Sequence, residues 1–341
     1  MDIARTAAAT ASLTATALGA TWLVTGTRNP LDHPGRSFST ALTAYPDGWA
    51  NAIFLCCALV ALAAALWPRG LPGRAPAAGT AIIALVALMD ASALMAVGYL
   101  PATLIGPLIG LDEVDASLLL SPGLLLQLLL LTAIAAFGVV IARRFRAAGH
   151  DLTRVTARTK FWTRIAVEAP LVYALTRVLM FFCVPGFDMA GFGDPILWAG
   201  LGLAVSASLG AWLTCGLVRP WGEVFPRWLP GLRGRRVPVR LAVVPGLLVA
   251  VMVATASKDM FQSLADDGAL AAITDWPLVT LPAFLWPLWA FALAMASANY
   301  GIRRNLTEAK ISPEHNGTKM VYVPITGTQS PKIFGNRGNL P

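Results

Sequence analysis

An all-α fold, a polytopic bundle of membrane-spanning helices, is what this sequence predicts, and three observations predict it. Hydrophobic residues make up 56% of the chain and charged residues only 13%, about half the charge of an ordinary soluble protein. Apolar runs near the ~20 residues needed to cross hydrocarbon recur along its length. Lys and Arg gather in alternate loops, as the positive-inside rule requires. Backbone groups in lipid must be satisfied within the segment, so each run is expected to be a helix; the alternating segments of a membrane barrel are absent.

Eight spans are expected, in order Ala8–Val24, Trp49–Trp67, Gly79–Gly98, Gly123–Ala142, Ile165–Val184, Ile196–Val218, Leu241–Ser257 and Pro277–Tyr300. The first is rich in Ala and Thr behind Arg5, and a cleaved signal peptide is its alternative reading. Seven Lys/Arg lie in Arg143–Arg164 and six in Arg219–Arg240, with Arg69, Arg74, Arg303, Arg304 and Lys310 on the same side. Opposite loops carry Arg28, Arg36 and Lys258 among acids such as Asp112, Glu113, Asp115, Asp188, Asp194, Asp266, Asp267 and Asp275. Both termini are therefore expected to be cytoplasmic. The net charge of +8 reads as a topology device that also attracts anionic lipid headgroups, not as a nucleic-acid surface.

Aromatic rings favour the membrane–water boundary. Trp49, Tyr99, Trp198 and Trp276 fall at expected outer ends, and Trp67, Trp162, Trp228 and Tyr300 at or near inner ones. Cys56, Cys57, Cys183 and Cys215 have no CxxC or Cys/His spacing, so core packing is expected, without a disulfide framework or metal site. No cofactor motif is present.

"WPRGLPGRAPAAGTAIIALV" and "FPRWLPGLRGRRVPVRLAVV" share aromatic–Pro–Arg, Leu-Pro-Gly, Arg and Pro before an apolar run. They suggest two parallel four-helix repeats, 1–145 and 155–304; recurrence of Pro, Gly and Arg in short turns is the alternative. Residues 305–341 read as a flexible cytoplasmic tail or an extension of foreign origin. The outer segments "PATLIGPLIGLDEVDASLLLSPG" and "DMFQSLADDGALAAITDW" are either plain connectors or caps lying on the membrane surface.

Two charges stand inside spans. Glu168 lies one turn from the cytoplasmic end, where Arg164 at i−4 makes an interfacial ion pair. Arg177 lies about 18 Å from the inner surface and Asp90 about 16 Å, counting helical rise. Equal depth on separate helices predicts that Asp90 and Arg177 face each other, with Ser92 and Tyr173 as hydrogen-bonding neighbours. That pair is either an anion or proton site or a structural clamp. In the repeat alignment Asp90 falls opposite Met252 and Arg177 near Leu18, so neither charge is duplicated.

Gly202, Ser206, Gly210 and Thr214 recur at four-residue spacing and predict a small-residue packing seam. Pro282 and Pro287 predict a kink in the last span. His33, with Asp32 and Asp47 in one outer loop, reads as solvated, with a metal or acid–base role as the alternative. Walker, HExxH, GxSxG and Rossmann motifs are missing, so no catalytic residue is assigned.

"EAPLVYALTRV" and "LVRPWGEVFPRWLPGLRGRRVPVRLAVVPG" resemble a stretch recurrent in multi-pass integral membrane proteins of high-GC actinobacteria. The resemblance covers roughly residues 165–246 and implies a bacterial plasma membrane; those proteins bring no assigned activity and hence no site residues. Three functional readings follow: a transporter or permease, an accessory, sensory or scaffolding membrane protein, and a lipid-processing membrane enzyme. A small-molecule substrate or a protein partner is left open.

Overall fold

The computed structural model describes residues 3–31, 42, 45, 47–68, 72–105, 121–146, 151–187, 194–227, 231–266 and 277–311. These form α1 (Ile3–Thr25), α2 (Asp47–Leu66), α3 (Arg74–Leu88), α4 (Ser92–Ile105), α5 (Pro122–Arg146), α6 (Leu152–Phe181), α7 (Asp194–Cys215), α8 (Val239–Asp266), α9 (Pro277–Thr280) and α10 (Trp286–Ile311). Short 3-10 turns occupy Pro220–Gly222 and Leu281–Leu285. No strand occurs among the described residues beyond one isolated bridge, Val224 with Arg236.

Five helices are long and apolar enough to cross a membrane, or six if the bent pair α3–α4 counts as one span. Their exposed faces carry Leu13, Val60, Ile83, Leu125, Leu128 and Phe291, while alanine dominates the buried positions. Large apolar side chains outside and small ones between helices suit lipid as the surrounding medium. Eight separate spans are not what helix length and composition give. The basic first half of α6 is too polar, and its apolar half still carries Glu168 and Arg177. The apolar stretch described in α7, Gly200–Cys215, is short.

Helices α1 and α2 form a hairpin tied at both ends. Arg5 donates to the Ala65, Leu66 and Trp67 carbonyls at 3.2–3.4 Å, neutralising the electronegative end of α2. Asn51 Nδ2 donates to the Trp22 and Thr27 carbonyls at 3.2 and 2.9 Å. One turn from the Asn51 tie, a Cβ on Gly19 would stand only 3.0 Å from the Phe54 ring and 3.3 Å from Leu55 Cα, which places two backbones in close approach. With α3 and α5 these helices enclose a core around Phe54, Leu85, Leu130 and Phe137.

Among the later helices α6 packs on α7 and α10, and α10 on α8, while α8 also reaches α3 and α5 and adds Met252 to the first core. Helix α4 turns away from α3 to lie along α7 and touch α8 and α5. The third expected span is thus not one helix. The chain bends by 73° between α3 and the first turns of α4, with Met89 extended at φ −84°, ψ 151°. The second half has no counterpart, because α8 runs unbroken through Pro245, so the proposed repeat lacks its most distinctive element.

Several other expectations change. The last helix continues past Asn305 to Ile311, with Asn305 Nδ2 donating to the Gly301 carbonyl at 2.7 Å; residues 312–341 lie outside the described set. Cys56 and Cys183 are exposed, not core. Cys183 holds φ 48° just after α6, where its N–H meets the Met180 carbonyl and that of Val184 meets Leu179, a left-handed helix stop usually made by glycine. Asp32, His33 and most acids of the outer connectors lie outside the described residues. Pro282 sits in the 3-10 turn and Pro287 in the first turn of α10. Neither interrupts a helix interior; the prolines shape the entry to α10, where a missing N–H costs nothing.

Candidate functional site

The interruption between α3 and α4 exposes two sets of backbone groups that a continuous helix would pair: carbonyls at the end of α3 and N–H groups at the start of α4. Inside a greasy bundle those groups need partners, and charged side chains supply them. Asp90 Oδ1 accepts from the Ser92 N–H at 2.8 Å, as an Asx turn does at a helix start. Asp259 Oδ2, from α8, accepts from the Ala91 N–H at 2.6 Å. Lys258 Nζ donates to the Met89 carbonyl at 2.6 Å and the Ala87 carbonyl at 3.4 Å, and lies 3.4 Å from Asp259 Oδ1. Gln127 of α5 donates through Nε2 to Asp90 Oδ1.

Electrostatics explains the arrangement. A helix ends electronegative and begins electropositive. The ammonium sits at the end of α3 and both carboxylates at the start of α4, so each charge meets the opposite partial charge. Burial is extreme: Asp90 and Gln127 are 0% exposed and Asp259 1%. The Lys258 side chain, at 28%, is the cluster's outward-reaching member. Three buried oxygens at or next to this cluster, Gln127 Oε1, Asp259 Oδ1 and Gln262 Oε1, accept no hydrogen bond.

Asp90 and Arg177 therefore do not form the expected pair among the described residues. Arg177 Nε donates to the Tyr173 hydroxyl at 3.1 Å, and Nη1 approaches Met180 Sδ at 3.5 Å. Its guanidinium also lies over the Tyr173 ring, 5.0 Å from the centroid, a cation–π geometry. Beside it stands Gly200 of α7, whose Cβ would be 3.7 Å from Arg177 Cδ. Equal depth brings two charges together only between straight rods. Breaking the third span turns Asp90 toward α5 and α8, while Arg177 stays among α6, α7 and the Tyr173–Trp286 aromatic contact at 5.3 Å. The expected neighbours are divided accordingly, Ser92 with Asp90 and Tyr173 with Arg177.

Arg164 and Glu168 do pair, at 2.7 Å between exposed side chains; the hydrogen bond and charge of Glu168 raise the Arg164 pKa further above its ordinary value. The four-residue seam on α7 is only partly a contact surface. Gly202 is buried and Ser206 Oγ donates to the Gly98 carbonyl of α4 at 3.0 Å. A Cβ on Gly210 would meet nothing within 4 Å, and Thr214 bonds within its own helix at 2.7 Å. The close face against α6 is made by Ala204 and Ala207 with Tyr173 and Ala174.

The apolar pattern leaves Lys258 in an outer loop and marks neither Asp259 nor Gln127. The available signal was "MDAS" at residues 89–92, an Asp followed by Ser inside an apolar run, which is the vocabulary of a helix start. A second missed assembly closes the arginine-rich connector. Tyr300 donates to the Gly222 carbonyl at 2.7 Å, Arg303 Nη2 to Glu223 Oε1 at 2.6 Å, and Arg304 to the Glu223 and Val237 carbonyls at 3.3 Å. Tyr300 is fully buried, a clasp and not an interfacial anchor. Among the described residues no group of three or more His, Cys, Asp and Glu is placed to hold a metal ion. No family model, curated protein or solved structure matches this chain.

Proposed function

We propose that this chain is a transporter-like protein of a bacterial plasma membrane, with the α3–α4 elbow as its ion or substrate site. One observation carries the reading. Two carboxylates and an ammonium, Asp90 from the elbow itself and Lys258 and Asp259 from α8, converge where a helix in an apolar bundle is interrupted. Interrupted helices whose freed ends meet charged groups are a recurring construction of transport sites, and buried ionisable groups in membrane segments mark ion or substrate paths. In this reading all eight apolar runs span, both termini are cytoplasmic, and the exposed Arg154, Arg158 and Lys160 of α6 meet anionic headgroups.

The same hydrogen bonds favour a second reading, because they also satisfy the severed backbone. The elbow is then a latch in an accessory or scaffolding membrane protein. Growth of an expressing host across a panel of toxic small molecules and cations separates the two. The transport reading expects altered resistance to some members, lost in Asp259→Asn at equal membrane abundance. No difference across the panel, in a host with its own efflux systems removed, refutes it. Cysteine labelling of 219–238 from outside intact cells would refute the topology.

A further inference from the structure

Arg177 carries a positive charge that no described residue neutralises. The elements packed on this part of α6 offer no carboxylate: α7 has none after Asp194 at its start, α9 and the Leu281–Leu285 turn none, and α10 none before Glu308 in its last turn. The end of α6 does not use the charge either. Its last carbonyls, Val178, Leu179 and Met180, accept from the N–H groups of Phe182, Val184 and Cys183 at 3.0–3.2 Å. Arg5, Arg303 and Arg304, which tie the bundle elsewhere, each donate to carbonyl oxygens. Among the described residues Arg177 meets only a hydroxyl, a ring and a thioether.

The unused hydrogen-bonding capacity here is all donor capacity. Nη2 makes no hydrogen bond among the described residues, and the Met180 thioether is a weak acceptor for Nη1. The Tyr173 hydroxyl accepts from Nε, while its own proton meets no described acceptor; the side chain is only 6% exposed. Trp286, whose ring packs on that of Tyr173 at 76°, has a buried Nε1–H without a partner. Buried donors without acceptors are destabilising, and a guanidinium in hydrocarbon more so. A negative, acceptor-only group relieves both, and the planar fork of an arginine matches two of its oxygens at once.

Position gives such a group access. Arg177 is half-buried and lies one turn, about 6 Å, from the end of α6. There the rings of Phe181 and Trp198 meet at 4.9 Å, side chains of the kind that favour a membrane–water boundary. At that level an anion arrives from the headgroup layer or from water.

We propose that Arg177 and Tyr173 form a binding site for a phosphate or carboxylate group, held by the free edge of the guanidinium and the tyrosine hydroxyl. The ligand is a phospholipid headgroup or a soluble anion of the same chemistry. Neither requires transport at the elbow, so this inference stands apart from that reading.

The purified full chain, delipidated in nonionic detergent, is titrated while its thermal unfolding midpoint is followed. One arm adds phosphatidylglycerol against diacylglycerol with the same acyl chains. The other replaces chloride by inorganic phosphate or acetate at constant ionic strength. A saturable rise is expected: with phosphatidylglycerol alone it assigns a lipid headgroup, and with the free anions a soluble ligand. Arg177→Met should weaken the apparent affinity about tenfold or more, and Tyr173→Phe about fivefold, the loss of a charged and of a neutral hydrogen bond. Arg177→Lys keeps the charge without the fork and should fall between wild type and Arg177→Met. It and Tyr173→Phe decide the matter if Arg177→Met does not fold. Arg240→Gln, at an exposed position early in α8, should bind as wild type does. No saturable rise in either arm overturns the proposal. So does undiminished affinity in the Arg177 and Tyr173 variants, or an equal loss in Arg240→Gln, which identifies general attraction to a basic surface.

Discussion

Lys258 and Asp259, adjacent in sequence, hold opposite ends of one severed helix: the ammonium meets the Met89 carbonyl and the carboxylate the Ala91 N–H, each at 2.6 Å. Replacing Lys258 by Met uncaps α3 and leaves Asp259 without its counter-charge. Breaking a buried ion pair from one side costs about 3–5 kcal/mol. Lys258→Met should therefore lower the unfolding midpoint in detergent strongly. The double variant Lys258→Met/Asp259→Leu should lose less than the sum of its parts.

Asp90 and Arg177 should behave as strangers. A double-mutant cycle on Asp90→Asn and Arg177→Met is expected to give coupling within about 0.5 kcal/mol, the additivity of sites without shared partners. Asp90→Asn with Gln127→Leu should couple by about 1 kcal/mol or more, as hydrogen-bonded neighbours do. Exchanging the two charges, Asp90→Arg with Arg177→Asp, should not restore stability.

Tyr300→Phe removes the hydroxyl that holds the Gly222 carbonyl. A lost buried hydrogen bond of this kind costs about 1 kcal/mol. The local readout is limited proteolysis, with cleavage within 223–238 expected to accelerate while the spans stay intact.

Two glycines that precede that connector should respond in opposite ways. A Cβ on Gly222 would overlap the backbone of Gly216, so Gly222→Ala should open the clasp and release the connector in the same proteolysis assay. Gly210, exposed to no close neighbour, should accept alanine with a gain of about 0.5–1 kcal/mol, the ordinary glycine-to-alanine difference in a helix. A loss at Gly210 would restore the four-residue seam as a packing surface.

Hydropathy located the helices because burial in lipid leaves a residue-by-residue signature that needs no knowledge of neighbours. Each of the eight apolar runs coincides with helical structure, including the Ala- and Thr-rich α1. The elbow was hidden for the same reason. Residues 79–98 stay apolar through the bend, and one aspartate reads as a charge to be paired across the bundle and not as the start of a second helix. Asp259 went unnoticed because the expected seventh span stopped at Ser257, two residues short. Charge counting likewise read Arg303 and Arg304 as topology signals, whereas their contacts with Glu223 and Val237 come from a connector folding back about 70–80 positions away. Pairings over such separations leave no local pattern.

Because α4 lies against helices of the later half while α3 remains with the earlier one, the bend between them joins the two groups with only three residues. Any tilting of α4 relative to α3 must change the dihedral angles at Met89–Ala91, the same three residues that the ammonium and carboxylates grip. Mechanical motion and charge state are thereby attached to one joint, and locking that joint with a proline or a crosslink would immobilise both.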